Sequence, residues 1–142
     1  MAYWLFKEEP EHYSFDDLQR DGRTEWDGVR NALAQQYLRQ VRRGDRVLLY
    51  HTGKEKAVVG IMRVVKGAYP DPTDEKGRRV LVDVAPVRRL KSPVTLAQIK
   101  ANPKLQGMLL VKIPRLSVMP VSEEEWAEIL SMAGEKQSSP KK

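Results

Sequence analysis

The chain has no cysteine among its 142 residues. That excludes disulfides, thiol nucleophiles and thiolate zinc sites. It has two histidines, His12 and His51, far apart in sequence. A histidine-rich metal site is not expected, and no cofactor is implied. No apolar run approaches the roughly 20 residues needed to cross a bilayer, so no membrane partner is expected. The apolar N-terminus, Met1 to Phe6, is short and is stopped by Lys7-Glu8-Glu9-Pro10. It does not read as a secretory signal, so the cytoplasm is the expected compartment. What is present describes one folded, soluble domain with a real core. Hydrophobic residues make up 41% of the chain and charged residues 31%, a balance too apolar for a disordered chain.

Charge of one sign is also missing locally. From Arg78 to Arg115 there are nine Lys or Arg against one acid, Asp83. Met1 to Gln19 is acidic, and Glu123, Glu124, Glu125 and Glu128 form a second acidic patch. With a net charge of +6, a chain polarised this way can turn a basic face to phosphates, although solvated surface charge has the same signature.

The densest chemistry lies in Trp26-Asp27-Gly28-Val29-Arg30-Asn31. No helix or strand period explains that order, so it reads as a shaped loop entering a helix N-terminus. An aromatic ring, a carboxamide and a guanidinium suit a flat polar ligand such as a nucleobase.

The remaining pattern predicts short elements. Tyr3 to Phe6 reads as a strand. Ser14 and Asp17 form a capping box for a helix over Phe15 to Gln19, closed by Gly22. Asn31 caps a helix to about Arg42, with Ala34, Tyr37, Leu38 and Val41 on its buried face. Arg46 to His51 and Ala57 to Lys66 read as strands joined around Gly53. Tyr69 to Pro72 reads as a proline-stiffened loop. A strand is expected over Arg79 to Val87, a Thr95-capped helix over Leu96 to Ala101, and short strands over Leu109 to Ile113 and Leu116 to Val121. Ser122 and Glu125 cap a last helix with Trp126, Ile129, Leu130 and Ala133 inward and Gly134 as its C-cap. Strands without long alternating helices predict an α+β fold, a mostly antiparallel barrel with helices around it. The domain is expected over residues 1–134, with 135–142 a disordered polar tail.

Several segments together carry a family resemblance. They are Tyr3-Trp4-Leu5-Phe6-Lys7 with Glu9-Pro10, then Tyr13-Ser14 and Asp17-Leu18, then the Trp26 to Asn31 loop. Gly44-Asp45, Tyr50-His51, Gly60, Tyr69-Pro70-Asp71-Pro72 and Arg115-Leu116-Ser117-Val118 with Pro120-Val121 follow in order. The chain resembles the EVE domain, a PUA-like family related to YTH and ASCH domains. The resemblance implies a PUA-like β pseudo-barrel surrounded by short helices, and a pocket that accepts a modified base.

Each site residue has a functional and a structural reading. Trp26 stacks on a flipped base or plugs the barrel. Asn31 reads a base edge or caps its helix, and Arg30 meets a phosphate or pairs with Asp27. Tyr50 and His51 line the pocket mouth or are structural. Lys7 and Glu9 reach the ligand or form ion pairs, and Ser14 contacts a ligand hydroxyl or caps. Tyr69, Pro70 and Asp71 present a stiff rim or merely connect, and Val29 completes the pocket set. Arg115 and Ser117, with Arg78, Arg79, Arg88 and Arg89, form the phosphate-binding set. Arg115 alternatively satisfies a carboxylate such as Asp71 or Glu9. Trp4 and Trp126 belong to the core.

The function that the resemblance implies is a non-enzymatic reader of a modified base, by analogy with family members a modified cytosine, in DNA or RNA. No catalytic residue is assigned. Two alternatives stand beside it. One, implied by the relationship to ASCH domains, is a hydrolase of modified nucleosides using Lys7, Glu9, Ser14 or His51. The other is a general PUA-type RNA-binding module.

Overall fold

The structure is a computed structural model and describes residues 1–135. Its helices start where local chemistry says they should. Ser14, Thr95 and Ser122 each accept a hydrogen bond from the backbone three residues on, and each receives a side chain back from Asp17, Gln98 or Glu125. These reciprocal boxes satisfy amides that a helix N-terminus leaves free. They open α1 (Phe15–Asp21), α3 (Leu96–Ala101) and α5 (Glu123–Met132). Asn31 caps α2 (Ala32–Leu38) through Ala34 N–H. That helix is shorter than its pattern predicts, because after Leu38 the chain turns toward Gly44-Asp45.

Six strands form one sheet in the order β2-β5-β4-β3-β1-β6. They are β1 (Tyr3–Glu8), β2 (Thr24–Trp26), β3 (Arg46–His51), β4 (Ala57–Pro70), β5 (Val80–Thr95) and β6 (Val118–Val121). All pairs are antiparallel except β1 with β3. The β4–β5 ribbon is long and its register shifts at four places. Such bulges bend and twist a ribbon. The bending brings the sheet round on itself: the ring of Phe6 on β1 lies 5.5 Å from that of Trp26 on β2, although three strands separate them in sheet order. This is the mostly antiparallel pseudo-barrel. Among the described residues no helix is long and apolar enough to cross a membrane.

The core fills the curl. Leu5, Phe6, Phe15, Leu18, Leu48, Leu49 and Met62 are fully buried. Trp4 and Trp126 are core residues as expected, and Trp126 stacks on Tyr3 at 4.4 Å. Phe15 lies flat over β4 at Gly60, where an added Cβ would sit 2.5 Å from Phe15 Cε1. Overpacking a closed core costs about 1–3 kcal/mol. Gly60→Ala is therefore expected to lower the thermal midpoint by several degrees in a calorimetric scan. An unchanged midpoint would mean that Phe15 is free to move.

Four local expectations are corrected. Tyr69 and Pro70 are not loop but the end of β4, paired with Leu81 and Val80. Leu109–Lys112 is a helical turn, α4, not a strand. The short apolar run fits either, and bonds from Val111 and Lys112 N–H to the Met108 carbonyl decide for the helix. Ala133 is the C-cap of α5, and Gly134 follows it at φ 75°. Glu135, placed in the tail, is held by Arg88 Nε at 2.9 Å and Lys91 N–H at 2.8 Å. The rest of the expected tail lies outside the described residues.

Candidate functional site

Alternation along β1 organises the surface. Successive side chains of a strand point to opposite faces, so Lys7 and Glu8, its last two residues, open onto different hollows. Glu8 faces a cavity of about 270 Å³ walled by Trp26 and Asp27, with Thr24, Glu25, His12 and Tyr13 around it. The short β2 strand delivers Trp26 here, and its pairing with β5 holds the backbone. The ring is 4% exposed and rests on Phe6, so it forms a fixed wall. Three of the seven lining residues, Glu8, Glu25 and Asp27, carry carboxylates. An acceptor-rich rim beside an aromatic wall suits a ligand edge that donates hydrogen bonds.

The rim is tied together from behind. Tyr69 O–H reaches Asp83 Oδ1 at 2.5 Å and Glu25 Oε2 at 3.3 Å. Arg23 Nη2 donates to Asp83 Oδ2 at 2.8 Å. Burial, and then these two carboxylates, push the Tyr69 hydroxyl well above its usual value. For Asp83 burial acts upward, but hydrogen bonds from Tyr69 and Arg23 outweigh it and hold the carboxyl below its ordinary 3.8. A depressed folded value means the stabilisation is complete above about 3.8 and is lost as pH falls through the folded value. Wild type is therefore expected to lose stability faster than Asp83→Asn between about pH 4 and 2 in urea titrations. Parallel profiles would remove Asp83 from the acid limb.

His12 Nδ1 lies 2.9 Å from Glu8 Oε2. The Glu8 hydrogen bond and charge raise the imidazole above its usual value. The pair thus stays charged past the usual imidazole value and weakens as pH rises through the raised one.

The structure distributes the other predicted residues. Asn31 accepts from Ala34 N–H as a cap, and Ser14 does the same for Asp17. His51 is buried with both ring nitrogens engaged, Nε2 by Phe15 N–H at 3.2 Å and Nδ1 by Glu55 at 2.7 Å. Lys7 and Tyr50 line a second cavity, and Glu9 a third. Asp71 accepts from the N–H and hydroxyl of Thr73, and Val29 is buried. Of the candidates for a hydrolase, Lys7 lines one cavity and Glu9 another, Ser14 caps α1, and His51 is buried against Phe15 N–H and Glu55.

The basic residues also separate. Arg30, Arg78 and Arg79 surround a hollow of about 410 Å³ between α2 and the β4–β5 turn, joined there by Arg39 and Lys76. The Trp26–Asn31 loop borders both this hollow and the Trp26 cavity, since Asp27 lines one and Arg30 the other. Arg88 is paired with Glu135, and Arg89 with Asp16. Arg115 is exposed, while the Ser117 carbonyl accepts from Lys7 N–H. Glu8, His12, Tyr13, Thr24, Glu25 and Asp27 were missed as site residues. No local pattern gathers them, because it is the curl of the sheet that sets β1 beside β2.

A curled, mostly antiparallel sheet ringed by short helices, with a cavity opening beside β1 and β2, defines an α+β pseudo-barrel domain. The fold alone is shared with an ASCH domain from Zymomonas mobilis, at 13% identity and a TM-score of 0.57 over 92% of this chain and 95% of that one. The chain belongs to the EVE domain family, whose model matches residues 2–132. Human thymocyte nuclear protein 1 is 33% identical, covering 92% of this chain and 73% of its own length. A solved protein from Rhodopseudomonas palustris is 46% identical with a TM-score of 0.90, over 94% of both chains. Human THYN1, solved in complex with DNA containing 5-methylcytosine, is 32% identical with a TM-score of 0.88, over 96% of this chain and all of that one.

Proposed function

We propose that this protein reads a modified cytosine in DNA without acting on it chemically, taking the base into the Trp26 cavity. The observation that carries this is the pairing of a fixed aromatic wall with three carboxylates in one small cavity. Cytosine presents an amine that donates hydrogen bonds, and Glu8, Glu25 and Asp27 are acceptors. At about 270 Å³ the space suits one ring more than a drug-sized ligand. The human relative solved with 5-methylcytosine DNA supports both the base and the choice of DNA over RNA.

In this reading Arg30, Arg78 and Arg79, with Arg39 and Lys76, hold phosphates and position the strand without reading sequence. One nucleotide leaves the stack at a cost of a few kcal/mol. A methyl group buried beside Trp26 contributes about 0.8 kcal/mol, so discrimination is several-fold. Tryptophan fluorescence titration with short duplexes that differ only in one 5-methylcytosine is expected to show that ratio. Equal, salt-sensitive affinity for the two duplexes would reject the reader and leave a general nucleic-acid module.

A further inference from the structure

We propose that the cavity bounded by Lys7, Lys56 and Lys100 is an anion site that takes a phosphate group, distinct from the base cavity. It measures about 210 Å³ and lies on the opposite side of β1's alternation from Glu8. Three lysines line it and no Asp or Glu does. Neither Lys56 nor Lys100 has an ion pair among the described residues. Ammonium groups with no compensating carboxylate repel one another, and an entering anion removes that repulsion.

Two further features point to a ligand. Lys56 is the one non-glycine residue with positive φ, at 45°, among the described residues. A long side chain held in the left-handed region costs stability, and such strain collects at ligand clamps. Lys7 is half-buried, with Nζ donating to the Pro114 carbonyl at 2.7 Å and lying 5.5 Å from the centre of the Tyr50 ring. Burial lowers its pKa, so its charge lacks solvation that an anion would restore. Compact ammonium groups serve phosphate as point charges. The apolar side of the cavity, Leu96 and Leu110, leaves room for whatever carries the phosphate.

The phosphate has two possible sources, a free mononucleotide or the backbone of bound DNA. The test is NMR titration of the whole ¹⁵N-labelled chain with inorganic phosphate, deoxycytidine monophosphate and deoxycytidine. The free source predicts saturable shifts at Thr52, Gly53 and Lys56 with the first two and none with the nucleoside. Joint replacement Lys56→Gln and Lys100→Gln then weakens binding tenfold or more, whereas Lys54→Gln, on the same loop, leaves it unchanged. The backbone source predicts no saturation by free phosphate. The double variant instead loses duplex affinity tenfold, with a salt slope shallower by about one.

Lys56→Gly separates ligand from turn. The proposal requires a higher thermal midpoint together with weaker phosphate or duplex binding. Unchanged binding of phosphate, nucleotide and duplex in the lysine variants overturns it. That failure is distinguishable from failure of the base reader, which is read from the ratio between methylated and plain duplexes.

Discussion

Trp26→Phe is expected to weaken binding of the methylcytosine duplex by about tenfold and to shrink its advantage over the plain duplex. A base stacked or edged against an aromatic side chain gains about 1–3 kcal/mol, and the smaller ring forfeits part of that. Phenylalanine can still rest on Phe6, which lies 5.5 Å away, so the fold survives. Alanine is the harsher test and a confounded one. Trp26 is almost fully buried, and removing such a ring costs about 3–5 kcal/mol of stability. Asp27→Asn supplies the control. The residue is exposed, lines the same cavity, and exchanges a pure acceptor for a group that also donates. Its expected effect is a loss of affinity for cytosine of about 1 kcal/mol with no change in melting. Wild-type affinities for both duplexes in both variants would remove the Trp26 cavity from recognition.

Asp45→Ala is expected to cost about 3–5 kcal/mol of stability. The carboxylate is 4% exposed and accepts three hydrogen bonds. Oδ1 takes Ala2 N–H at 3.0 Å, and Oδ2 takes Trp4 Nε1 and Arg42 N–H, both at 2.9 Å. A buried donor left without a partner costs about 1–3 kcal/mol. At least Trp4 and Arg42 would be stranded, because Ala2 can turn to water. The three donors belong to the N-terminus, β1 and the turn before β3, so the loss also loosens the start of the parallel pair. Asp45→Asn keeps one acceptor and is expected to lose roughly half as much. Urea denaturation should show a lower midpoint at constant slope. An unfolding free energy within about 0.5 kcal/mol of wild type would mean that water replaces the carboxylate.

Asp45 marks the boundary of what could be read from residues in order. In sequence it is half of a Gly-Asp turn, and nothing local tells of Trp4 or Ala2. The capping residues were legible because their partners lie three positions away: Ser14 with Asp17, Asn31 with Ala34, Ser122 with Glu125. Trp26 stands out in the sequence through its unusual neighbours, and it lines a cavity. The acids around it do not stand out. Glu8 and Glu25 look like ordinary surface charge until the curl of the sheet sets β1 beside β2. His51, read in the sequence as pocket-lining or structural, takes Phe15 N–H from 36 residues away on Nε2 and the nearby Glu55 on Nδ1. Arg88 and Arg89 counted as phosphate ligands in a basic run, but Glu135 and Asp16 lie beside them in space.

The position of β1 between β3 and β6 has a consequence for how the chain is made. Its first neighbour arrives with residues 46–51, but its second, Val118–Val121, is the last of the described strands to be made. Until then the outer edge of β1, with Tyr3 to Phe6 along it, exposes unpaired backbone that can recruit a strand from another chain. Nascent chains halted before residue 118 should therefore bind holdase chaperones and aggregate when released. Chains released with residues 118–121 included should escape both fates, because β6 caps the vulnerable edge.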